Sequence, residues 1–220
     1  MSSTNNILVV NSSARKTRSI SRELSVLFTE SFRAHKPCNI TQRDVGMNPP
    51  SFITEDWIAA AFNSPEQRSA EQKSILQESD QLIDEVVRSD IIVLGAPMYN
   101  YSMPASLKAW FDLIARVGLT FSFDLSRGDY PIEPVLRDKK LVLLSSRGEF
   151  AFAPGGERAH LNGLDPALHA CAHYLGVEQE CVNSIVVEYE EFKDKRWLDS
   201  LEQARQQTRQ LAYQMAGAAS

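Results

Sequence analysis

The chain reads as a doubly wound α/β protein, a five-stranded parallel sheet with helices on both faces. Three observations predict this. The runs Ile7–Val10, Ile91–Ala96 and Leu141–Leu144 are short and continuously apolar, as strands buried on both faces are. The stretches between them repeat apolar residues at helical spacing, and strands and helices alternate from end to end, which favours parallel crossovers.

Ile7–Val10 is the first strand. The glycine-free loop NSSARKTRSIS follows, and Ser19 is placed to cap a helix marked by Ile20, Leu24, Leu27, Phe28 and Phe32. Asn39–Val45 is a weaker strand. Gly46–Ser64, with Pro49 and Pro50, reads as an excursion off the sheet; within it Thr54, Glu55 and Asp56 open a short helix through Trp57, Ile58 and Phe62. Ser69 and Gln72 have capping-box spacing for a helix running through Leu76, Leu82, Ile83, Val86 and Val87. After Ile91–Ala96 comes the loop PMYNYSMP, then a helix with Leu107, Trp110, Phe111, Ile114 and Ala115 inward and Lys108, Asp112 and Arg116 as a solvated row. In LTFSFDL, Leu119, Phe121, Phe123 and Leu125 fall on one side. That predicts an extended arm, turned back near Gly128–Asp129, which covers either a ligand pocket or another subunit. Leu141–Leu144 is the fourth strand. Asp165–Pro166 starts a helix that Gly176 stops, Val182–Val187 is the fifth strand, and a last helix begins near Asp194 with Trp197, Leu201, Ala204, Thr208, Leu211 and Met215 along one face.

The 220 residues, 43% hydrophobic and 23% charged, suit a single domain, residues 1–220, with one sizeable core. A net charge of −5 argues against nucleic acid or anionic lipid as a partner. Three cysteines without a C-x-x-C pair fit a reducing compartment rather than a disulfide framework. The polar MSSTNN start is no signal peptide, and no run reaches spanning length, so the expected location is the cytoplasm.

The loops Asn11–Ser21, Pro97–Pro104 and Ser145–Gly156 leave the carboxyl ends of three strands, where sheets of this class bind ligands. The first carries Ser12, Ser13, Thr17, Ser19 and Ser21 with Arg15, Lys16 and Arg18. Hydroxyls and amides at a helix N-terminus receive phosphate; a solvated capping loop is the plainer alternative. Neither G-x-G-x-x-G nor G-x-x-x-x-G-K-[ST] occurs, so a monophosphate fits better than a dinucleotide or triphosphate. Tyr99 and Tyr101 offer ring faces and Asn100 an edge donor and acceptor, unless these aromatics merely pack. An aromatic loop beside a monophosphate loop suggests flavin mononucleotide (FMN).

The block APMYNYSMPASLKAWFDLIARVGLTF, with NSS before it and SSRGE after it, resembles the FMN-dependent NADH azoreductases, or NADH:quinone oxidoreductases, of flavodoxin-like fold. The resemblance spans nearly the whole chain. It implies that Ser13, Ser19, Ile20 and Ser21 hold the FMN phosphate, and that Met98, Tyr99, Asn100 and Tyr101 border the ring system and ribityl chain. Ser146, Arg147, Gly148 and Glu149 would contact the pyrimidine side. It further implies a homodimer that passes two electrons from NADH or NADPH to quinones and azo compounds, in ping-pong order through flavin N5. The flavin carries that chemistry, so no catalytic side chain is assigned. Asn100 is the candidate hydrogen-bonding group near N5, and Arg147 the candidate near the N1–O2 edge. Glu149 departs from the glycine many members have and adds a negative charge there. Phe121 and Phe123 stand where relatives use aromatics, and substrate preference is expected to vary with them. The rival reading is a flavodoxin-like electron carrier or flavin-binding sensor without turnover of its own.

Other constellations are weaker. His169 and His173 of HACAH share a helix face, but Cys171 points away and no third ligand is indicated, so no metal is expected. Glu188, Glu190 and Glu191 read as a solvated cluster. No G-x-S-x-G elbow supports a hydrolase, and Ala96–Pro97 stands where a phospho-acceptor receiver would carry aspartate.

Overall fold

The computed structural model describes residues 4–217; residues 1–3, part of the polar start, lie outside them. Five strands, β1 (Asn5–Asn11), β2 (Cys38–Asp44), β3 (Ile91–Pro97), β6 (Lys140–Ser146) and β7 (Val182–Val187), form one parallel sheet in the order β2-β1-β3-β6-β7. A separate antiparallel pair, β4 (Phe121–Phe123) and β5 (Ile132–Pro134), stands apart from it.

Strand alternation explains the two cores. Ile7, Val9, Ile91, Val93, Val142, Leu144, Ile185 and Val187 face α1 (Ile20–Arg33) and α6 (Lys195–Met215), which contribute Leu24, Phe28, Phe32, Leu201 and Ala204. Leu8, Val10, Ile92, Leu94, Leu141 and Leu143 face the opposite cluster. That cluster is filled from α2 (Glu55–Phe62), α3 (Ala70–Arg88), α4 (Ala105–Ile114) and α5 (Asp165–Cys171).

The expected caps are made. Ser19 accepts from the Arg22 amide and Thr54 from that of Trp57, and Ser69 with Gln72 closes a full capping box. Gly176 ends the region after α5 in the left-handed conformation, φ 71°.

Three expectations need correction. Arg116 is not solvated. Helix α4 stops at Ile114, and Arg116, 2% exposed, turns inward to donate to Ser79 Oγ at 2.8 Å and Asp80 Oδ1 at 3.1 Å; only Lys108 and Asp112 of the row pair on the surface. The arm is a hairpin rather than a continuous stripe. Phe121 meets Tyr174 edge-on at 5.4 Å, Phe123 is exposed, and Leu125 sits in a separate turn. The third correction concerns Glu188 and Glu190 after β7, whose side chains find partners at the rim of the sheet.

Candidate functional site

Strand order reverses between β1 and β3: the chain runs outward from β1 to β2 and returns across it to β3. Such a switch point opens a crevice at the strands' carboxyl ends. The loop after β1 forms one wall. Its floor is fixed by Ser12, whose amide and Oγ both donate to the Gly95 carbonyl, at 3.0 and 2.9 Å. Ser13 Oγ accepts from the Arg15 amide at 3.2 Å. Next come Ser19, Ile20 and Ser21 at the start of α1, with Ser19 Oγ 3.4 Å from Ser21 Oγ. The amides of Ile20 and Ser21 lie in the first turn, which no helical carbonyl can reach.

The loop after β3 forms the facing wall. Tyr99 and Ser102 exchange backbone hydrogen bonds at 2.9 and 3.0 Å around a two-residue turn, Asn100 (φ 48°) and Tyr101 (φ 66°). Asparagine suits the left-handed region, but tyrosine costs about 1 kcal/mol there. The turn thrusts Tyr101 outward, 45% exposed, with its ring 6.2 Å from Phe152. Tyr99 reaches back, and its hydroxyl accepts from the Ala14 amide at 3.1 Å, joining the two walls. Met98 is tied to the third wall, its amide donating to the Ser146 carbonyl at 2.8 Å.

That third wall, Ser146 to Glu149, is zipped to the segment after β7. The Arg147 amide donates to the Val187 carbonyl, and those of Tyr189, Glu190 and Glu191 donate to the carbonyls of Glu149, Arg147 and Gly148. The Arg147 side chain, 2% exposed, does not turn to the crevice: Nη2 grips both Asp165 oxygens at 2.6 Å, and Nη1 lies 3.7 Å from Glu188. Its backbone is what it presents to the rim. Glu149 is neutralised by Arg158, Nε to Oε1 at 3.2 Å. Glu188 accepts from the Ala151 and Phe152 amides, and Glu190 pairs with Arg15 at 3.0 Å. Glu188 and Glu190, expected to be solvated, therefore brace the rim, while Glu191 is exposed as expected. Nothing local in the sequence signalled this bracing, because its partners lie about 40 and 175 residues away.

Between the walls lies a cleft of about 20 Å³ whose lining includes Ser13, Arg18, Ser19, Tyr99 and Ser146. Such a space admits a small polar group but no ring system. A groove of about 550 Å³ adjoins the cleft, shares Arg15, Arg18, Ile20 and Glu190 with it, and runs on to Trp197 and Arg205. Phe121 and Phe123 sit on the hairpin, away from this cleft. Among the described residues no three histidines, cysteines or carboxylates gather as a metal site; His169 Nδ1 is engaged with Gln179.

The sequence pattern of the flavodoxin-like fold matches residues 5–212. The FMN-dependent NADH:quinone oxidoreductase 2 of Colwellia psychrerythraea is 47% identical over 217 residues, covering 95% of this chain and 98% of that protein. The chain belongs to the FMN-dependent NADH:quinone oxidoreductase family. Within that family, the FMN-dependent NAD(P)H:quinone oxidoreductase 1 of Pseudomonas aeruginosa is 40% identical over 208 residues, covering 94% of this chain and 97% of that one. The fold is that of an azoreductase from Bacillus anthracis, with a TM-score of 0.84 at 19% identity over 96% of this chain and all of the other. An FMN-dependent NADH-azoreductase from the same species, in complex with FMN, superimposes with a TM-score of 0.83 at 16% identity, covering 97% of this chain and all of the other.

Proposed function

We propose that the chain is an FMN-dependent oxidoreductase, reducing quinones and azo compounds with electrons from NADH or NADPH. The observation that carries this reading is the pairing of two walls across the switch point. A hydroxyl-rich helix N-terminus faces a rigid aromatic turn, and the Ala14–Tyr99 hydrogen bond holds the two together. A phosphate and a flat ring need that pairing.

The residues fit FMN. Ser13, Ser19 and the first-turn amides of Ile20 and Ser21 would receive the phosphate, aided by the positive end of the α1 dipole. Ser13, Ser19 and Ser146 line the small polar cleft between the walls, the hydroxyl-rich surroundings a phosphate needs. Met98, Tyr99, Asn100 and Tyr101 would border the ring and ribityl chain. Ser146, Gly148, Glu149 and the Arg147 backbone would close the pyrimidine side. Bound there, FMN would supply the two-electron chemistry, at N5 and in ping-pong order, that links the nicotinamide donor to a quinone or azo acceptor. The protein orients the flavin and shapes the space above it; no side-chain acid or base is required.

The working unit is a homodimer. Phe123, Leu125 and Tyr130 of the hairpin are 52%, 74% and 85% exposed, and Phe52 and Phe62 near α2 are 71% and 75% exposed. A monomer rarely leaves so much apolar surface to water. A partner meeting the hairpin would bring Phe121 and Phe123 near a substrate space. The protein works in the cytoplasm: its cysteines are all free, and among the described residues no helix is long and apolar enough to cross a membrane.

The test is to purify the yellow protein, mix it with NADH and menadione, and follow nicotinamide absorbance. NADH consumption that needs both protein and FMN is expected. Flavin binding without consumption would favour the electron carrier, and no flavin binding at all would defeat both readings.

A further inference from the structure

Behind the first wall stands a group of side chains that does not line the cleft. Arg22, in the first turn of α1, folds its guanidinium under the loop. Nη1 donates to Asp44 Oδ2 at 2.6 Å, and Nη2 donates to Asp44 Oδ1 and to the Ser13 carbonyl, both at 2.7 Å. A planar fork bound at both prongs fixes direction as well as distance.

Asp44, the last residue of β2, is held in turn. Its Oδ1 accepts from the Met47 amide at 3.0 Å. Burial pushes its carboxyl pKa up, but the hydrogen bonds from Arg22 and the Met47 amide outweigh that and hold it below the ordinary value. The turn it begins presses on the same loop. The Gly46 amide donates to the Asn11 carbonyl at 3.1 Å, and a Cβ on Gly46 would lie 2.1 Å from the Ser13 carbonyl oxygen. Glycine is needed there for close approach.

We propose that Arg22, Asp44 and Gly46 form a brace that sets the first loop in its phosphate-receiving shape. The preference of this chain for phosphorylated flavin over riboflavin then depends on positioning residues that do not touch the phosphate. The reason is peptide geometry. A trans peptide points its C=O and N–H in opposite directions. Holding the Ser13 carbonyl toward Arg22 therefore aims the Ala14 amide to the far side, where it meets Tyr99 Oη at 3.1 Å, while Ser13 stays on the cleft wall. Residues 12–19 form no helix or strand. Without the brace they would have to be ordered when ligand binds, at a cost to affinity.

The inference rests on reading the first loop as the FMN phosphate site, and the two fail differently. The flavin-stripped full-length chain is titrated with FMN and with riboflavin, following flavin fluorescence, while circular dichroism monitors the fold. Wild-type protein that binds both flavins equally would defeat the phosphate reading itself. With a wild-type preference for FMN established, Arg22→Lys, Asp44→Asn and Gly46→Ala are each expected to weaken FMN about tenfold or more and riboflavin less than about threefold. Asp44→Asn carries a second discrimination. It removes a negative charge, so attraction of phosphate to Arg22 through space would tighten FMN, whereas the brace requires weaker binding. Gly46→Ala alters no charge and displaces the same carbonyl. Should Asp44→Asn fail to fold, the other two variants decide. Unchanged FMN affinity, or equal loss of both flavins, in folded Gly46→Ala and Arg22→Lys overturns the brace.

Discussion

The rim of the sheet and the β4–β5 hairpin are both built from loops, yet they solve opposite problems. At the rim charged side chains pair with one another and with the backbone: Arg147 with Asp165, Arg22 with Asp44 and the Ser13 carbonyl, Glu188 with two amides, Glu190 with Arg15. Buried polar groups that find partners rigidify a region, and rigidity suits a site that must hold a flat ligand in one pose. At the hairpin the chain leaves Leu125, Tyr130 and Ile132 to solvent and has little to cover them. The contrast separates a region that pairs its own groups from one whose apolar groups the proposed dimer would cover.

The sharpest way to break the rim is to remove its buried cation. Arg147→Met leaves Asp165 and Glu188 without their partner and is expected to destabilise the chain by about 2 kcal/mol, less than for a fully buried pair because both carboxylates are partly solvated. Urea unfolding of the flavin-free protein measures this, and a loss within the scatter of surface substitutions would show the rim to be looser than its bonds imply. The hairpin should behave otherwise. Leu125→Glu with Tyr130→Glu is expected to change the stability of an isolated subunit by no more than about 0.5 kcal/mol, while converting the proposed dimer to a monomer in sedimentation velocity. A double variant that still sediments as a dimer would move the interface elsewhere.

The smallest expected effect concerns acid. Because the folded pKa of Asp44 is lowered, its stabilising contribution is full above the ordinary value of 3.8 and lost as pH falls through the folded value. The melting-temperature gap between wild type and Asp44→Asn should accordingly be constant from neutral pH to about pH 5 and close in stronger acid. A gap that persists there would mean that the stabilisation does not come from the ionised carboxylate.

Much of this architecture was legible because it rests on short-range signals. The strand cores, the caps at Ser19, Thr54 and Ser69, and the stop at Gly176 depend on residues a few positions apart, and each lies where the pattern placed it. The resemblance of the central block pointed to the family. The spacing that puts Arg116 on the solvated row continues a helix that ends two residues earlier, and the partners of Arg116 on α3 are 36 and 37 residues away. Glu188 and Glu190 after β7 read as solvated for the same reason. Arg22 carries no local signal, because Asp44 lies 22 residues away in sequence and the parallel pairing of β1 with β2 is what brings it beside the first loop.

By itself, then, the sequence determined the kind of fold, the order of its elements and the three loops that could meet, since apolar periodicity and capping act over a turn or two of chain. Only the tertiary structure decided which charges face the crevice and which stand behind it. An arginine's long side chain can serve either purpose, and the choice depends on which distant carboxylates and carbonyls the crossovers bring within 3 Å of it.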